Sequence, residues 1–226
     1  MSSIKEWLPH LRPREKAIQM GFEKLSDEEV IALLLKSGTK THSVMQIAQA
    51  LLTKSGGLLG LARLSLQQCM QVPGIKQAKA CELLAAFELS KRVHRGLAMS
   101  VNVVENPQSL LDWLSSELAD KTQEHFLVVY LNTQNHIVAY KTLFIGTLDR
   151  SIIHPREVFK EAVTHSASRL IAVHNHPSGS MTPSPQDIEV THLLMEAGQM
   201  MGIPLLDHLI VTNQGYTSLR QTILDD

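Results

Sequence analysis

The chain of 226 residues has few of the features that mark specialised classes of protein. It contains two cysteines, Cys69 and Cys81, whose spacing fits neither a disulfide framework nor a cysteine zinc motif. No apolar stretch reaches the roughly 18 residues that a membrane span requires, so we expect no membrane partner. The opening segment is charged and lacks an apolar core, which argues against a secretory signal and makes the cytoplasm the expected location.

Net charge is also small, because 21 basic and 22 acidic residues leave a value of −1. The two halves nevertheless differ. Residues 1–100 carry 14 basic and 8 acidic side chains, a net charge of +6, whereas residues 101–226 carry 7 and 14, a net charge of −7. A modest basic excess in the first half fits contact with nucleic acid, and it fits a solvated helical surface equally well.

Short helices with recognisable capping boxes are predicted in the first hundred residues. Three such pairs occur: Ser26 with Glu29, Ser43 with Gln46, and Ser65 with Gln68. A longer helix is predicted from Gln77 to about Arg95, and the helical period is lost between residues 96 and 107. We therefore predict a helical domain over residues 1–98 and a second domain over residues 104–226.

The whole chain has an ordinary globular composition, with 44% apolar and 19% charged residues. In the second domain, strands and helices alternate. Helices are predicted at 107–119, 155–166 and 185–201. Strands are predicted at 126–131, 137–145, 170–174, 206–212 and 216–219. This alternation indicates an α/β fold with a mixed sheet flanked by helices.

Two histidines and one carboxylate form a candidate metal site late in the chain. His174 and His176 lie two residues apart at the end of a predicted strand, so their side chains project from one face. After a loop containing proline and glycine, Ser184 is placed as the N-cap of a helix, Pro185 at N1 and Asp187 at N3. Two histidines, one carboxylate and an open fourth position are typical of catalytic zinc sites, which activate water.

Each part of this pattern has a simpler explanation on its own. Pairs of histidines separated by one residue occur in strands without metal, Asp187 is favourable near a helix N-terminus, and Ser184 is a good N-cap. The fixed offsets of Pro177, Ser184 and Asp187 from the histidine pair are harder to obtain by chance. We therefore favour a metal site over coincidence.

The spacing His174-x-His176-Pro177-x6-Ser184-x2-Asp187 resembles the JAMM (MPN+) metalloprotease motif at every defined position. The longer text around it resembles the bacterial RadC family, also called UPF0758, as do two N-terminal segments, Arg12-Pro-Arg-Glu-Lys16 and Leu25-Ser-Asp-Glu-Glu29. The similarity spans nearly the whole chain. It implies a JAMM/MPN-like domain of cytidine-deaminase-like architecture with bound Zn²⁺, and it says much less about the substrate.

The resemblance also implies roles for residues outside the histidine pair. Glu124, just before a predicted strand, matches the glutamate that acts as general base towards the zinc-activated water and then protonates the leaving amine. A solvated charge at a strand edge is the alternative interpretation. Ser184 would hydrogen-bond the developing oxyanion in addition to any capping role. Asp207-His208 resembles a recurrent family feature that could orient a ligand, although a structural hydrogen bond is the favoured interpretation.

Within the helical domain, residues 64–95 resemble a helix-hairpin-helix module through the text Val72-Pro73-Gly74-Ile75-Lys76-x3-Ala80. In that module the amides of a glycine-rich turn contact a DNA phosphate at a helix N-terminus. Lys76 stands where the usual pattern has a second glycine, which weakens the inference of DNA binding. A protein-docking or purely structural hairpin is the competing interpretation.

Three functions follow, in this order of preference. The first is a zinc-dependent peptidase or isopeptidase acting on a peptide or protein substrate, with zinc on His174, His176 and Asp187. The second is a DNA-associated protein whose metal domain is only structural. The third is a metal-dependent nuclease, which is disfavoured because two-metal nucleases use several carboxylates. Zinc deaminases use a His-x-Glu pattern with paired cysteines, and this chain has no such pattern.

Overall fold

The computed structural model of the chain describes residues 8–146 and 153–225. The chain divides into two compact units, Met1–Ser90 and Lys91–Asp226. The division falls inside one long helix, whereas the sequence places the domain boundary after residue 98; that boundary stays a prediction. Among the described residues, no helix combines the length and the apolar character needed to span a membrane.

The first unit is made of helices that pack around a core of aliphatic side chains. Its elements are two 3₁₀ turns (Pro9–Leu11 and Phe22–Lys24), α1 (Pro13–Met20), α2 (Asp27–Leu35), α3 (Val44–Ser55), α4 (Leu58–Ala62), α5 (Leu66–Met70) and the start of α6 (Gln77–Met99). Fully buried side chains from α2, α3, α4 and α6 form the core: Ile31, Leu35, Ile47, Leu51, Leu61 and Leu83.

The three predicted capping boxes are confirmed at the starts of α2, α3 and α5. In each, the serine hydroxyl accepts a hydrogen bond from the backbone N–H three residues later, at 3.2–3.3 Å. The side-chain oxygen at that third position accepts a hydrogen bond from the serine N–H at 2.8–2.9 Å. Both bonds satisfy amide groups that a helix start otherwise leaves unpaired, so the local sequence alone fixes where these helices begin.

A tight turn joins α5 to α6 at the segment that resembles a helix-hairpin-helix. The N–H of Ile75 donates to the carbonyl of Val72 at 3.0 Å, and both side chains are buried. Gly74 has a φ of +92°, which favours glycine, and a Cβ there would lie 2.6 Å from Cδ1 of Ile47. Lys76 is exposed. The turn is therefore anchored by packing, and its DNA contact stays a prediction.

The predicted end of the long helix at about Arg95 is wrong, because α6 continues through Gly96 to Met99. The predicted end rested on the loss of the helical period after Arg95, and Gly96 itself costs about 1 kcal/mol relative to alanine inside a helix. Tertiary packing outweighs that cost. Ala98, the next-to-last residue of the helix, is fully buried in the core of the second unit.

The second unit contains a five-stranded mixed sheet with helices on both faces, which confirms the predicted α/β class. Its elements after α6 are α7 (Pro107–Leu118), β1 (Glu124–Leu131), β2 (Ile137–Gly146), α8 (Pro155–Thr164), β3 (Arg169–Asn175), α9 (Pro185–Met201), β4 (Leu205–Val211), β5 (Tyr216–Ser218) and α10 (Leu219–Asp225). The strand order is β2-β1-β3-β4-β5. Within the sheet that the structure describes, β3 and β4 are parallel and the other three neighbouring pairs are antiparallel; α9 supplies the crossover that a parallel pair requires.

Side chains of β1 alternate between two cores, as expected for a strand covered on both faces. Leu127, Val129 and Leu131 face the core that contains Trp113 and Leu114 of α7. Phe126, Val128 and Tyr130 face the core that contains residues of α8 and α9. The candidate site residues lie at the end of this second face. The sequence patterns missed three short helices, α1, α4 and α10, because none of them has a long apolar period.

Candidate metal centre

The two histidines of the motif lie at the carboxyl end of β3. His174 is the sixth residue of the strand, and its side chain is 1% exposed. His176 follows the strand, but its N–H still donates to the carbonyl of Val211 at 3.3 Å, which extends the pairing with β4. The side chains therefore share one face, and their Nε2 atoms lie 3.0 Å apart.

The N-terminus of α9 brings Asp187 to the same point. Ser184 is the N-cap, Pro185 takes the first helical position and Asp187 the third, as the sequence predicts. The N–H of Asp187 donates to Oγ of Ser184 at 3.2 Å. In return Oδ2 of Asp187 accepts from the N–H and the hydroxyl of Ser184, at 2.7 and 2.8 Å. Asp187 is 2% exposed, so these bonds hold a buried carboxylate in one orientation.

His174, His176 and Asp187 form the group that could hold a metal ion among the residues that the structure describes. Nε2 of His174 is 3.1 Å from Oδ1 of Asp187, and Nε2 of His176 is 3.4 Å from Oδ2. In a tetrahedral zinc site with bonds of about 2.0–2.1 Å, neighbouring ligand atoms are about 3.3 Å apart. The two histidines contact different oxygens of Asp187, and single ligand atoms from the three residues lie within 4.8 Å of one another, so the donor set suits such an ion once the side chains close around it.

Charge and burial at this group favour an ionised carboxylate. Burial alone would raise the pKa of Asp187, but hydrogen bonds from His174 and His176, the charge of His174 and the backbone bond from Ser184 hold that pKa well below its usual range. The hydrogen bond to Asp187 raises the pKa of His176, against the effect of burial, and the charge of Glu124 contributes in the same direction. A cation bound here would replace the histidine proton as the partner of the carboxylate.

The Nδ1 atoms of His174 and His176 each have a hydrogen-bond partner on the side away from Asp187. Nδ1 of His176 lies 2.8 Å from the carbonyl oxygen of Ser180. Nδ1 of His174 lies 2.8 Å from Nε2 of His208, whose own Nδ1 lies 2.7 Å from the hydroxyl of Thr191. His208 is 1% exposed, and burial lowers its pKa well below the ordinary histidine value. These contacts leave the Nε2 atoms of the two motif histidines facing Asp187.

Glu124 begins β1 beside this group. Phe126 pairs with His174, so Glu124 stands opposite His176 when the antiparallel register is extended by two residues. Glu124 shares the face of the sheet that carries the histidines, since alternate residues of a strand point the same way. The structure thus brings the predicted base near the predicted ligands, and its electrostatic effect on His176 agrees with that position.

Asn175, the residue between the two histidines, fixes the backbone around Glu124. Its Oδ1 accepts from the N–H of His125 at 2.8 Å, while its Nδ2 donates to the carbonyls of Gln123 at 3.1 Å and Lys121 at 3.3 Å. Asn175 is 1% exposed. One buried amide therefore clamps the chain on both sides of Glu124.

The remaining predicted residues have clear positions. The hydroxyl of Ser184 is directed to Asp187, so its oxyanion role stays a prediction. Of the pair at 207 and 208, His208 contacts a motif histidine, whereas Asp207 accepts bonds from Ser218 and the backbone of Arg220. The sequence reasoning missed Thr191 and Asn175. Thr191 lies four residues after Asp187 on one helix face, a spacing that could have indicated it.

Comparisons with known proteins show the family of the chain. The family model described as "RadC-like JAB domain" matches residues 104–224, and the one described as "UPF0758 N-terminal" matches residues 4–81. A UPF0758 protein of Bacillus licheniformis is 44% identical over 96% of this chain and 97% of its own length. A UPF0758 protein of Geobacillus kaustophilus is 46% identical over 93% of each chain. UPF0758 protein YsxA of Bacillus subtilis is 42% identical over 96% of this chain and 94% of its own. These names state a family and no activity.

Proposed function

Because the chain belongs to the RadC (UPF0758) family and its JAB domain carries a group suited to a metal ion, we propose that it is a zinc-dependent hydrolase of peptide or isopeptide bonds. One observation carries the proposal: His174, His176 and Asp187 place their donor atoms within 4.8 Å of one another. Imidazole nitrogens with a single carboxylate suit zinc better than magnesium or calcium, which prefer oxygen ligands. The substrate is proposed to be a peptide or protein.

The residues of the chain have distinct parts in this reaction. When bound, zinc supplies a Lewis acid that lowers the pKa of a coordinated water and polarises a carbonyl. Glu124 accepts a proton from the attacking water while the oxygen of that water bonds to the carbonyl carbon. It then donates that proton to the amine nitrogen as the carbon–nitrogen bond breaks. Asn175 supports this role because its bonds to residues 123 and 125 fix the backbone that carries the carboxylate.

Ser184 orients Asp187 through its hydroxyl and its N–H. A contact of the same hydroxyl with a developing oxyanion requires it to turn away from Asp187, whose Oδ2 keeps the backbone bond from Ser184. The proposal therefore assigns Ser184 first to carboxylate positioning and second to oxyanion stabilisation.

Metal analysis combined with a hydrolysis assay tests the proposal. We expect about one zinc per chain in the wild type and none in a His174→Ala, His176→Ala double variant. The matched control is Glu124→Gln, which we expect to keep its zinc while it loses hydrolysis of a peptide or isopeptide library by about 10²-fold or more. Equal zinc in the wild type and the double variant would contradict the proposal.

Two alternative functions have less support. A nuclease with two metals needs several carboxylates, and the group found among the described residues contains one. DNA binding by the helical unit rests on the turn before α6 and a basic excess in the sequence. A gel-shift assay at low salt tests DNA binding, because contacts to phosphates weaken steeply as salt is added. If the protein retards no DNA at low salt, this alternative is excluded.

A further inference from the structure

We propose that Thr191 and His208 form a hydrogen-bond chain that fixes His174 in the tautomer whose Nε2 lone pair faces the metal. The inference rests on the proposed metal site and goes beyond it, because it assigns positioning roles to two residues outside the ligand set. The chain runs from the backbone carbonyl of Asp187 through Thr191 and His208 to His174.

The direction of the chain is set at its backbone end. Oγ1 of Thr191 lies 2.6 Å from the carbonyl oxygen of Asp187, four residues earlier on α9. A carbonyl oxygen only accepts, so the single hydroxyl proton of Thr191 is used in this bond. The hydroxyl oxygen can then only accept in its second contact, which is the 2.7 Å contact with Nδ1 of His208.

The proton order then follows ring by ring. His208 donates from Nδ1, and its neutral ring therefore has a lone pair on Nε2. That lone pair accepts from Nδ1–H of His174 at 2.8 Å. With its proton on Nδ1, the ring of His174 keeps Nε2 for the ion: in the absence of metal a proton on Nε2 bridges the 3.1 Å to Oδ1 of Asp187, and a bound cation replaces that proton and meets the Nε2 lone pair. This is the tautomer that a metal ligand requires.

A doubly protonated His208 would reverse this result. Its Nε2–H would donate to Nδ1 of His174, which would move the proton of His174 to Nε2 and block the metal. Burial opposes that state, because His208 is 1% exposed and the partners of its ring nitrogens are a hydroxyl and an imidazole, neither of them an anion. The neutral ring is the state that the contacts satisfy.

The chain also explains how distant segments cooperate. α9 supplies the carboxylate of Asp187. The backbone carbonyl of the same residue is also the first acceptor of the hydrogen-bond chain that sets the tautomer of His174. His176 reaches the same state by a shorter route, since its Nδ1 meets the carbonyl of Ser180 directly. Both motif histidines are thus oriented by a backbone acceptor, one directly and one through two side chains.

The test measures zinc affinity of the full chain by competition with a chromogenic chelator. Thr191→Val removes the acceptor of the Nδ1 proton of His208, so the neutral ring of His208 can carry its proton on Nε2 instead. We expect zinc affinity to fall about 10- to 100-fold, the usual cost of losing the partner of a ligand. Thr191→Ser keeps the hydroxyl, and we expect affinity within about threefold of wild type. Wild-type affinity in Thr191→Val would overturn the proposal.

A second measurement decides the matter if Thr191→Val does not fold. Long-range ¹H–¹⁵N correlation spectra of the wild-type protein report which ring nitrogen of each histidine carries the proton. We expect Nδ1–H for His208 and His174, and a proton on Nε2 of His208 would overturn the proposal. Failure of the proposed function looks different: wild-type protein would then take up no zinc, or the double histidine variant would take up as much.

Discussion

Replacing Asn175 with alanine should separate metal binding from catalysis. The substitution removes three hydrogen bonds to the backbone of residues 121, 123 and 125 and touches none of the predicted ligand atoms. Glu124 lies between two of these anchored positions. We therefore expect its carboxylate to lose a fixed position, while His174, His176 and Asp187 keep theirs.

The magnitude follows from the number of bonds and their surroundings. Each bond contributes about 1 kcal/mol, which gives about 3 kcal/mol for three. The segment from Lys121 to His125 is only half-buried or exposed, so water can replace part of the loss. We expect the free energy of unfolding to fall by about 2 kcal/mol. Because small displacements of a catalytic group are costly, hydrolysis should fall by about 10- to 100-fold.

Urea unfolding, zinc competition and hydrolysis of the same preparation check this prediction. The matched control is Asn213→Ala in the exposed turn before β5, for which we expect a change below about 0.5 kcal/mol. Zinc affinity should stay within about threefold of wild type in both variants. An Asn175→Ala protein that keeps both wild-type stability and wild-type hydrolysis would refute the clamp. A large loss of zinc would show that Asn175 holds the ligands instead.

Three further predictions concern pH, the hairpin and the metal. Burial raises the pKa of Glu29, but hydrogen bonds from Lys16 and the N–H of Ser26 outweigh it and lower that pKa, so the stability that the ionised Glu29 contributes is present above its unfolded-state pKa and is lost as the pH falls. Glu29→Gln should therefore lower the free energy of unfolding by about 1 kcal/mol near neutral pH and leave it unchanged in acid. An equal loss of stability in acid would contradict this. Gly74→Ala should lower the free energy of unfolding in urea by about 2 kcal/mol, because the new Cβ would meet Ile47. The control Gly56→Ala also has a positive φ, but its Cβ would meet nothing within 4 Å, and we expect a loss of about 1 kcal/mol. Equal losses in the two variants would refute the clash with Ile47. Zinc at a hundredfold excess over its Kd should add about 2.7 kcal/mol, measured by unfolding with and without chelator, and the double histidine variant should gain none.

The parts of the centre that the sequence predicts are those fixed by local geometry. Ser184, Pro185 and Asp187 lie within one helical turn, so capping rules place the carboxylate before any tertiary contact is known. The same holds for His174 and His176, whose spacing matches the period of a strand. Local rules failed at Gly96, because burial of Ala98 in another core decides whether the helix continues.

Long-range pairing decides the rest of the centre. His208 reaches His174 only because β4 lies parallel to β3, and the two residues are 34 positions apart. Asn175 and His125 are 50 positions apart. Neither partner can be identified from periodicity, since a strand pattern does not say which strand is its neighbour or in which register they pair.

The distribution of burial across the centre separates its structural side from its reactive side. The side chains of His174 and Asp187 are each 1% exposed, whereas that of His176 is 10% exposed. Extending the register of β1 and β3 by two residues brings Glu124 opposite His176, and the charge of Glu124 helps to raise the pKa of His176. The backing chain through His208 and Thr191 lies on the closed side, where it orients a ligand without meeting solvent. In the proposed reaction a substrate would approach from the more exposed side, that of His176 and Glu124, where the reaction needs its general base.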